Sequence, residues 1–143
     1  MLMYKNGRFY MEKGSFALPD GFYVEGDIDI AGGSAFCAWD PERKYLFHWR
    51  YLSGCEDPVE ELKMWFLPDC GMTPLSEILP VKVNDLTGYR VLYQSPSAQY
   101  CEARFDFGGG EQFVLRVESK AETAEKIPMS KPFQAVWEGL RGE

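Results

Sequence analysis

One histidine, His48, serves the whole chain of 143 residues, so the side chain that most readily moves protons near neutral pH is nearly missing. No family signature of a thiol nucleophile surrounds any cysteine, and no glycine loop opens directly into a helix to cradle a phosphate. Cys37, Cys55, Cys70 and Cys101 are spaced 18, 15 and 31 residues apart. Paired metal or redox ligands sit about two to four residues apart, so this spacing excludes a zinc knuckle and a CxxC redox pair, and reads as free thiols, with two disulfides in an exported protein as the alternative. Nothing has the spacing of an EF-hand calcium loop. No apolar run approaches the roughly 18 residues that a spanning helix needs. Met1–Tyr4 is apolar but Lys5, Asn6, Gly7 and Arg8 end it at once, so no signal peptide is visible and the sequence reads as cytoplasmic, although a leader already removed would leave no trace. These absences point away from catalysis, and the expectation is no catalytic residue, no cofactor, no metal and no membrane.

Positive charge is short as well. The net charge is -7, and Asp20–Glu61 alone carries ten acids against three bases (Arg43, Lys44 and Arg50), while the rest of the chain balances at twelve of each. A phosphate backbone is repelled by such a chain, which excludes nucleic acid as the expected partner, and an anionic membrane surface is disfavoured for the same reason.

What is present is a globular composition, with 45% hydrophobic, 26% charged and 15% aromatic residues. Rings pack well on a pleated surface, so the aromatic content favours strands. The length suits one domain over residues 1–143, able to bury roughly 70% of its unfolded surface.

Short strands are expected at Arg8–Met11 and Ser15–Leu18, then a turn at Pro19, Asp20 and Gly21. Phe22–Ile30 alternates Ile28 and Ile30 with Asp27 and Asp29, the period of a strand with one face in water. Ser34–Trp39 and Tyr45–Leu52 follow. The latter carries Tyr45, Phe47, Trp49 and Tyr51 on one face and Leu46, His48, Arg50 and Leu52 on the other, which predicts a central strand covered on both sides. Asp57, Pro58 and Glu60 open a helix in which Val59, Leu62, Trp65 and Phe66 form the apolar stripe and which Pro68 stops. A short second helix is expected at Pro74–Leu79. Val81–Val83, Tyr89–Gln94, Gln99–Phe107 and Glu111–Glu118 read as a meander, because the turns between them are too short for anything but antiparallel neighbours. In the third of these, Cys101, Ala103, Phe105 and Phe107 are expected inside, with Glu102, Arg104 and Asp106 in water. Cys37 likewise falls on an apolar strand face. An amphipathic helix over Ser130–Arg141 closes the chain, with Phe133, Val136, Trp137 and Leu140 inward.

Each chemical candidate has a plainer reading. His48 has no sequence neighbour that would orient it, so it reads as structural, and a Cys–His enzyme lacks its signature. Gly108–Gly110 precedes a strand and reads as a hairpin turn. Asp27 and Asp29 stand two apart, so their carboxylates share one strand face. The plainer reading is a solvated strand face; with Glu25 they could instead make a calcium site, a carboxylate pair or, needing the least precision, the candidate docking patch for a protein partner of basic character. The aromatics Tyr45, Phe47, Trp49, Trp65 and Trp137 read as core, or alternatively as the lining of a ligand pocket between sheet and helix.

Ser15-Phe-Ala-Leu-Pro-Asp-Gly-Phe22 resembles the opening strand and turn of the PsbP-like family, which includes the extrinsic photosystem II protein and a Ran-binding nuclear import factor. Leu86-Thr-Gly-Tyr-Arg-Val-Leu-Tyr93, Glu111-Gln-Phe-Val-Leu-Arg-Val117 and the closing Phe133…Leu140 helix are similar in order, and together these stretches cover roughly half the chain. The resemblance implies an antiparallel sheet sandwiched between helices in proteins that mostly work by binding others. The chain departs from the pattern in having no clear N-terminal helix, and no partner-binding residue carries over.

The expected fold is therefore α+β, a twisted antiparallel sheet of about six or seven strands with helices packed on it in a PsbP-like α-β-α sandwich. The expected role is a small non-enzymatic binding or adaptor domain that docks a protein through Glu25, Asp27 and Asp29. The alternative is a small-molecule-binding domain or enzyme built around the aromatic pocket. A homodimer formed through a sheet edge is compatible with either.

Overall fold

Alternating apolar residues and short turns set most of the structure. The computed structural model describes residues 2–142 apart from 31 and 32, and the side chains of residues 27–30 lie outside that description. The strands are β1 (Met3–Lys5), β2 (Arg8–Tyr10), β3 (Ser15–Phe16), β4 (Tyr23–Ile30), β5 (Gly33–Trp39), β6 (Leu46–Leu52), β7 (Thr73–Pro74), β8 (Leu79–Val83), β9 (Leu86–Gln94), β10 (Gln99–Gly108) and β11 (Glu111–Ser119). Helix α1 spans Pro58–Lys63 and α2 spans Lys131–Glu138.

Two antiparallel meanders, β4–β5–β6 and β8–β9–β10–β11, join where β6 pairs with β11. The main sheet has eight strands in the order β4-β5-β6-β11-β10-β9-β7, with β8 also on β9. It is seven positions wide, because β7 and β8 share the last one. The turn between β5 and β6 is held by the buried Asp40 carboxylate, which accepts from Tyr45 N at 2.8 Å and Glu42 N at 3.3 Å. Gly108, Gly109 and Gly110 all take positive φ, which a tight β10–β11 reversal requires and other residues resist. The class is thus α+β, with sheet dominant.

Residues directly opposite each other in a ladder point to the same face. One face collects Phe36, Phe47, Trp49, Ala103, Phe105, Phe113, Leu115 and Val117, all buried. The small β1–β3 sheet covers it at one end, where Phe16 stacks on Trp49 at 4.3 Å. At the other end α2 presses Phe133, Val136 and Trp137 onto it, with Trp137 5.6 Å from Phe105. Ser130 caps α2 by accepting from Phe133 N at 3.2 Å.

The opposite face is only half covered. Leu62, Trp65 and Phe66, on α1 and the 3₁₀ turn after it, pack on Val91, Tyr93 and Tyr100. Over β5 and β6 nothing comparable among the described residues lies on top, and Leu46, His48, Arg50 and Leu52 are half-buried. Strand β6 is therefore interior in sheet order but covered fully on one side only.

Three further expectations are corrected by where backbone groups find partners. Pro74–Leu79 is not helical, because β9 supplies an unpaired edge: Thr73 and Pro74 pair with Gln94 and Tyr93, Leu75 N donates to Leu92 O, and Ser76 Oγ accepts from Leu92 N. Helix α2 stops at Glu138 rather than Arg141, since Arg141 exchanges backbone hydrogen bonds with Ser15. Glu102 and Arg104 are not in water but buried under the α1 segment. Among the described residues, no helix is long and apolar enough to cross a membrane.

Candidate functional site

The half-covered face carries the polar chemistry. Register aligns Cys37 with His48, His48 with Arg116, and Arg116 with Glu102, so four reactive or charged side chains form one row across β5, β6, β11 and β10. The adjacent row runs Trp39, Leu46, Glu118 and Tyr100.

At the covered end of the row, Glu102 is the hub. Its Oε1 accepts from the Tyr93 hydroxyl at 2.7 Å and from Trp65 Nε1 at 3.0 Å, while Oε2 takes Arg104 Nε at 3.0 Å. Arg104 also donates to Gln112 Oε1 at 3.1 Å and lies 3.6 Å from Glu61. Gln112 in turn donates to Glu56 O at 2.6 Å, tying the network to the chain just before α1. Burial, and then the negative charge of Glu102, push the Tyr93 hydroxyl far up, so it stays protonated and can only donate to the carboxylate. Arg116 lies between the rings of Tyr100 and Trp65, at 4.4 and 4.8 Å, and its Nε is buried without a hydrogen-bond partner. The nearest carboxylate oxygen, Glu102 Oε1 at 3.8 Å, is too far for one and already accepts two.

At the open end, Cys37 Sγ is 2.9 Å from His48 Nδ1. Burial, and then repulsion by Arg50 and Arg116, together drive the imidazole down to about 4. Burial also raises the Cys37 thiol; Arg50 works against this, and Glu25 and Glu118 add to it. Both partners are neutral at pH 7, so the pair is a thiol beside an imidazole and not the thiolate–imidazolium of a reactive cysteine. The Cys–His contact that the sequence offered only as a remote option thus exists, but its environment suppresses nucleophilicity. Cys37 sits on this polar face and not on the apolar one. All four cysteines are free, and burial lifts Cys101 to about 12.

The docking-patch residues lie on β4. Glu25 is exposed at a bulge between Val24 and Gly26, and its Oε2 accepts from Trp39 Nε1 at 3.1 Å. The backbones of Asp27 and Asp29 pair opposite Phe36 and Ser34, and the side chains of both lie outside the described residues. The bulge interrupts the two-residue step, so Glu25 is offset from the alternation that relates the two aspartates.

The aromatics named as a possible pocket divide between the two sheet faces, Trp65 with Tyr93 on one and the rest on the other, and pack into core. Trp49 is fully buried between Phe16, Phe36 and Phe47, and Trp137 stacks on Phe133 while Arg90 lies over its ring. An open recess of about 460 Å³ occurs elsewhere, between Pro58 at the start of α1 and the β8–β9 hairpin with Pro80, Val81 and Tyr89.

The buried network escaped sequence reasoning because Glu102 and Arg104 alternate with apolar residues as a solvated face does. One signal was available. The glycine turn at 108–110 sets the β10–β11 register, and that register puts Glu102 opposite Arg116.

No family model matches the chain, and no curated protein does either. Among solved structures it is similar to a protein from Bacteroides thetaiotaomicron VPI-5482, determined by crystallography at 1.50 Å, with 12% identity and a TM-score of 0.50. The match covers 91% of this chain and 45% of that one, so this chain spans less than half the length of the protein it resembles. At such identity the likeness shows a shared fold and nothing of the activity.

Proposed function

We propose that the protein is a non-enzymatic binding domain that docks a partner protein along the outer edge of β4, where Glu25, Asp27 and Asp29 select a basic strand. One observation carries this reading: β4 ends the sheet order, and among the described residues no strand pairs with its outer side. Such an edge offers a row of backbone donors and acceptors to an extended peptide. Tyr23 and Val24 add exposed apolar surface there, at 55% and 48% accessibility. The bulge and the acidic residues also guard the edge against a second copy of itself, and the guard is selective, because like charges repel while a basic strand is attracted.

Helix α1 against one sheet face and α2 against the other support the PsbP-like sandwich reading, and four free thiols support a reducing, cytoplasmic setting. The neutral Cys37–His48 pair supports a binding role over thiol catalysis.

The test uses a fluorescent peptide of alternating valine and lysine, titrated against wild type and against Glu25→Gln/Asp27→Asn/Asp29→Asn. Wild type binds in a salt-sensitive way, the triple variant binds roughly tenfold more weakly, and a peptide with prolines at alternate positions fails to bind. Equal binding by wild type and variant at low salt removes the patch. Undiminished binding of the proline peptide removes strand addition.

A further inference from the structure

The three bases of the otherwise acidic segment Asp20–Glu61 do not scatter: Arg43 and Lys44 sit together on the β5–β6 turn, and Arg50 lies on the half-covered face. Arg43 and Lys44 meet Lys120, which follows β11, around a recess of about 210 Å³ floored by Trp39 and completed by Glu118 and Ala121. The lining therefore carries three cations against one carboxylate in a chain whose net charge is -7. Its walls are fixed. The Asp40 carboxylate holds the turn that presents Arg43 and Lys44, and Ser119 Oγ accepts from Ala121 N and Glu122 N at 3.2 and 3.0 Å beside Lys120. The floor is fixed too, since the bond from Trp39 Nε1 to Glu25 sets the orientation of the indole.

The cations are available. Arg43 spreads its guanidinium 4.7 Å over the Tyr23 ring, which leaves the edge of the planar group, and its N–H donors, free to point elsewhere. Among the described residues neither Arg43 nor Lys120 has a carboxylate at ion-pair distance. Lys44 pairs with Glu42 at 3.2 Å, in an exposed pair of the kind that contributes little, and feels Glu122 at longer range. An indole floor takes a flat ring by stacking, and a cationic rim takes an oxyanion. The volume admits one ring and its substituent.

We propose that this recess is a binding site for a small planar carboxylate, its ring on Trp39 and its carboxylate among Arg43, Lys44 and Lys120. The site adjoins the β4 edge through Glu25 and Tyr23, which touch Trp39 and Arg43, but its ligand chemistry does not require a docked strand.

Benzoate is the probe, titrated at constant ionic strength into the full chain while the Trp39 indole N–H resonance, identified by its loss in Trp39→Phe, is followed by NMR. The expected result is a saturable shift with a half-point on the order of 1 mM, suited to a ligand of this size. Lys44→Gln/Lys120→Gln, two exposed positions whose change leaves the fold intact, weakens it roughly three- to tenfold. Benzyl alcohol tests the charge and inorganic phosphate tests the ring. The proposal is overturned by the absence of a saturable benzoate shift, by an equal shift with either comparator, or by unchanged benzoate binding in a double variant with a native spectrum.

Discussion

Glu102 shows how much one side chain can hold. It is about 1% exposed and is approached by a tyrosine hydroxyl, an indole N–H and two guanidinium groups. Deleting one partner of a buried charged set leaves the others uncompensated, which costs more than the set contributes when whole. Glu102→Ala is expected to lower stability by about 3–5 kcal/mol, read from the urea midpoint, with Glu102→Gln losing less because the amide oxygen still accepts from Tyr93 or Trp65. An alanine variant within about 1 kcal/mol of wild type would show that Arg104 and Arg116 are satisfied without it. His48 gives the pH dependence. Its folded value of about 4 lies below the ordinary 6.5, so as pH falls through 6.5 the unfolded chain binds a proton that the folded chain refuses. Stability contributed by neutral His48 is therefore intact above about pH 6.5 and declines toward pH 4. Unfolding curves across that window should fall more steeply for wild type than for His48→Gln, and parallel curves would mean that the imidazole titrates normally.

At the scale of elements, α2 is the segment with the clearest instructions, and its cap is the place to test them. Ser130 Oγ both accepts from Phe133 N and donates to Ile127 O at 2.8 Å, so Ser130→Ala should cost about 1 kcal/mol without shifting the rest of the fold. A variant as stable as wild type would mean that packing of Phe133 and Val136 alone sets where the helix begins. The strands were readable for a similar reason. Alternation such as Tyr45, Phe47, Trp49, Tyr51 and reversals such as Gly108–Gly110 are local, and local geometry specifies them. Pro74–Leu79 was not readable, because the partner that takes its backbone hydrogen bonds, Leu92, lies 17 residues from Leu75 and belongs to another strand. The polar row failed for a related reason. Whether Glu102 meets water depends on α1, which is about forty residues earlier in the chain, and no periodicity within β10 reports that cover. Cys37 and His48 meet only because the Asp40 turn sets the β5–β6 register, which the intervening residues do not spell out.

For the whole molecule, charge and sheet edges act together. On the proposed reading the acidic residues of β4 would repel a second copy, and salt would weaken that repulsion, since the screening length falls from about 10 Å at 0.1 M to about 3 Å at 1 M. Sedimentation velocity should find a monomer at low salt and reversible dimer at high salt. A monomer under both conditions would assign the protection to the bulge at Glu25 alone. The opposite edge differs in kind. There β9 is paired by two short pieces, β7 and β8, which contain Pro74 and Pro80, residues with no N–H to donate. A strand pairing across the sheet from β4 would meet these proline interruptions, which β4 lacks. If a strand docks on β4 as proposed, then in the language of polymers the main sheet is a chain terminator: growth taken up at one edge meets prolines at the other.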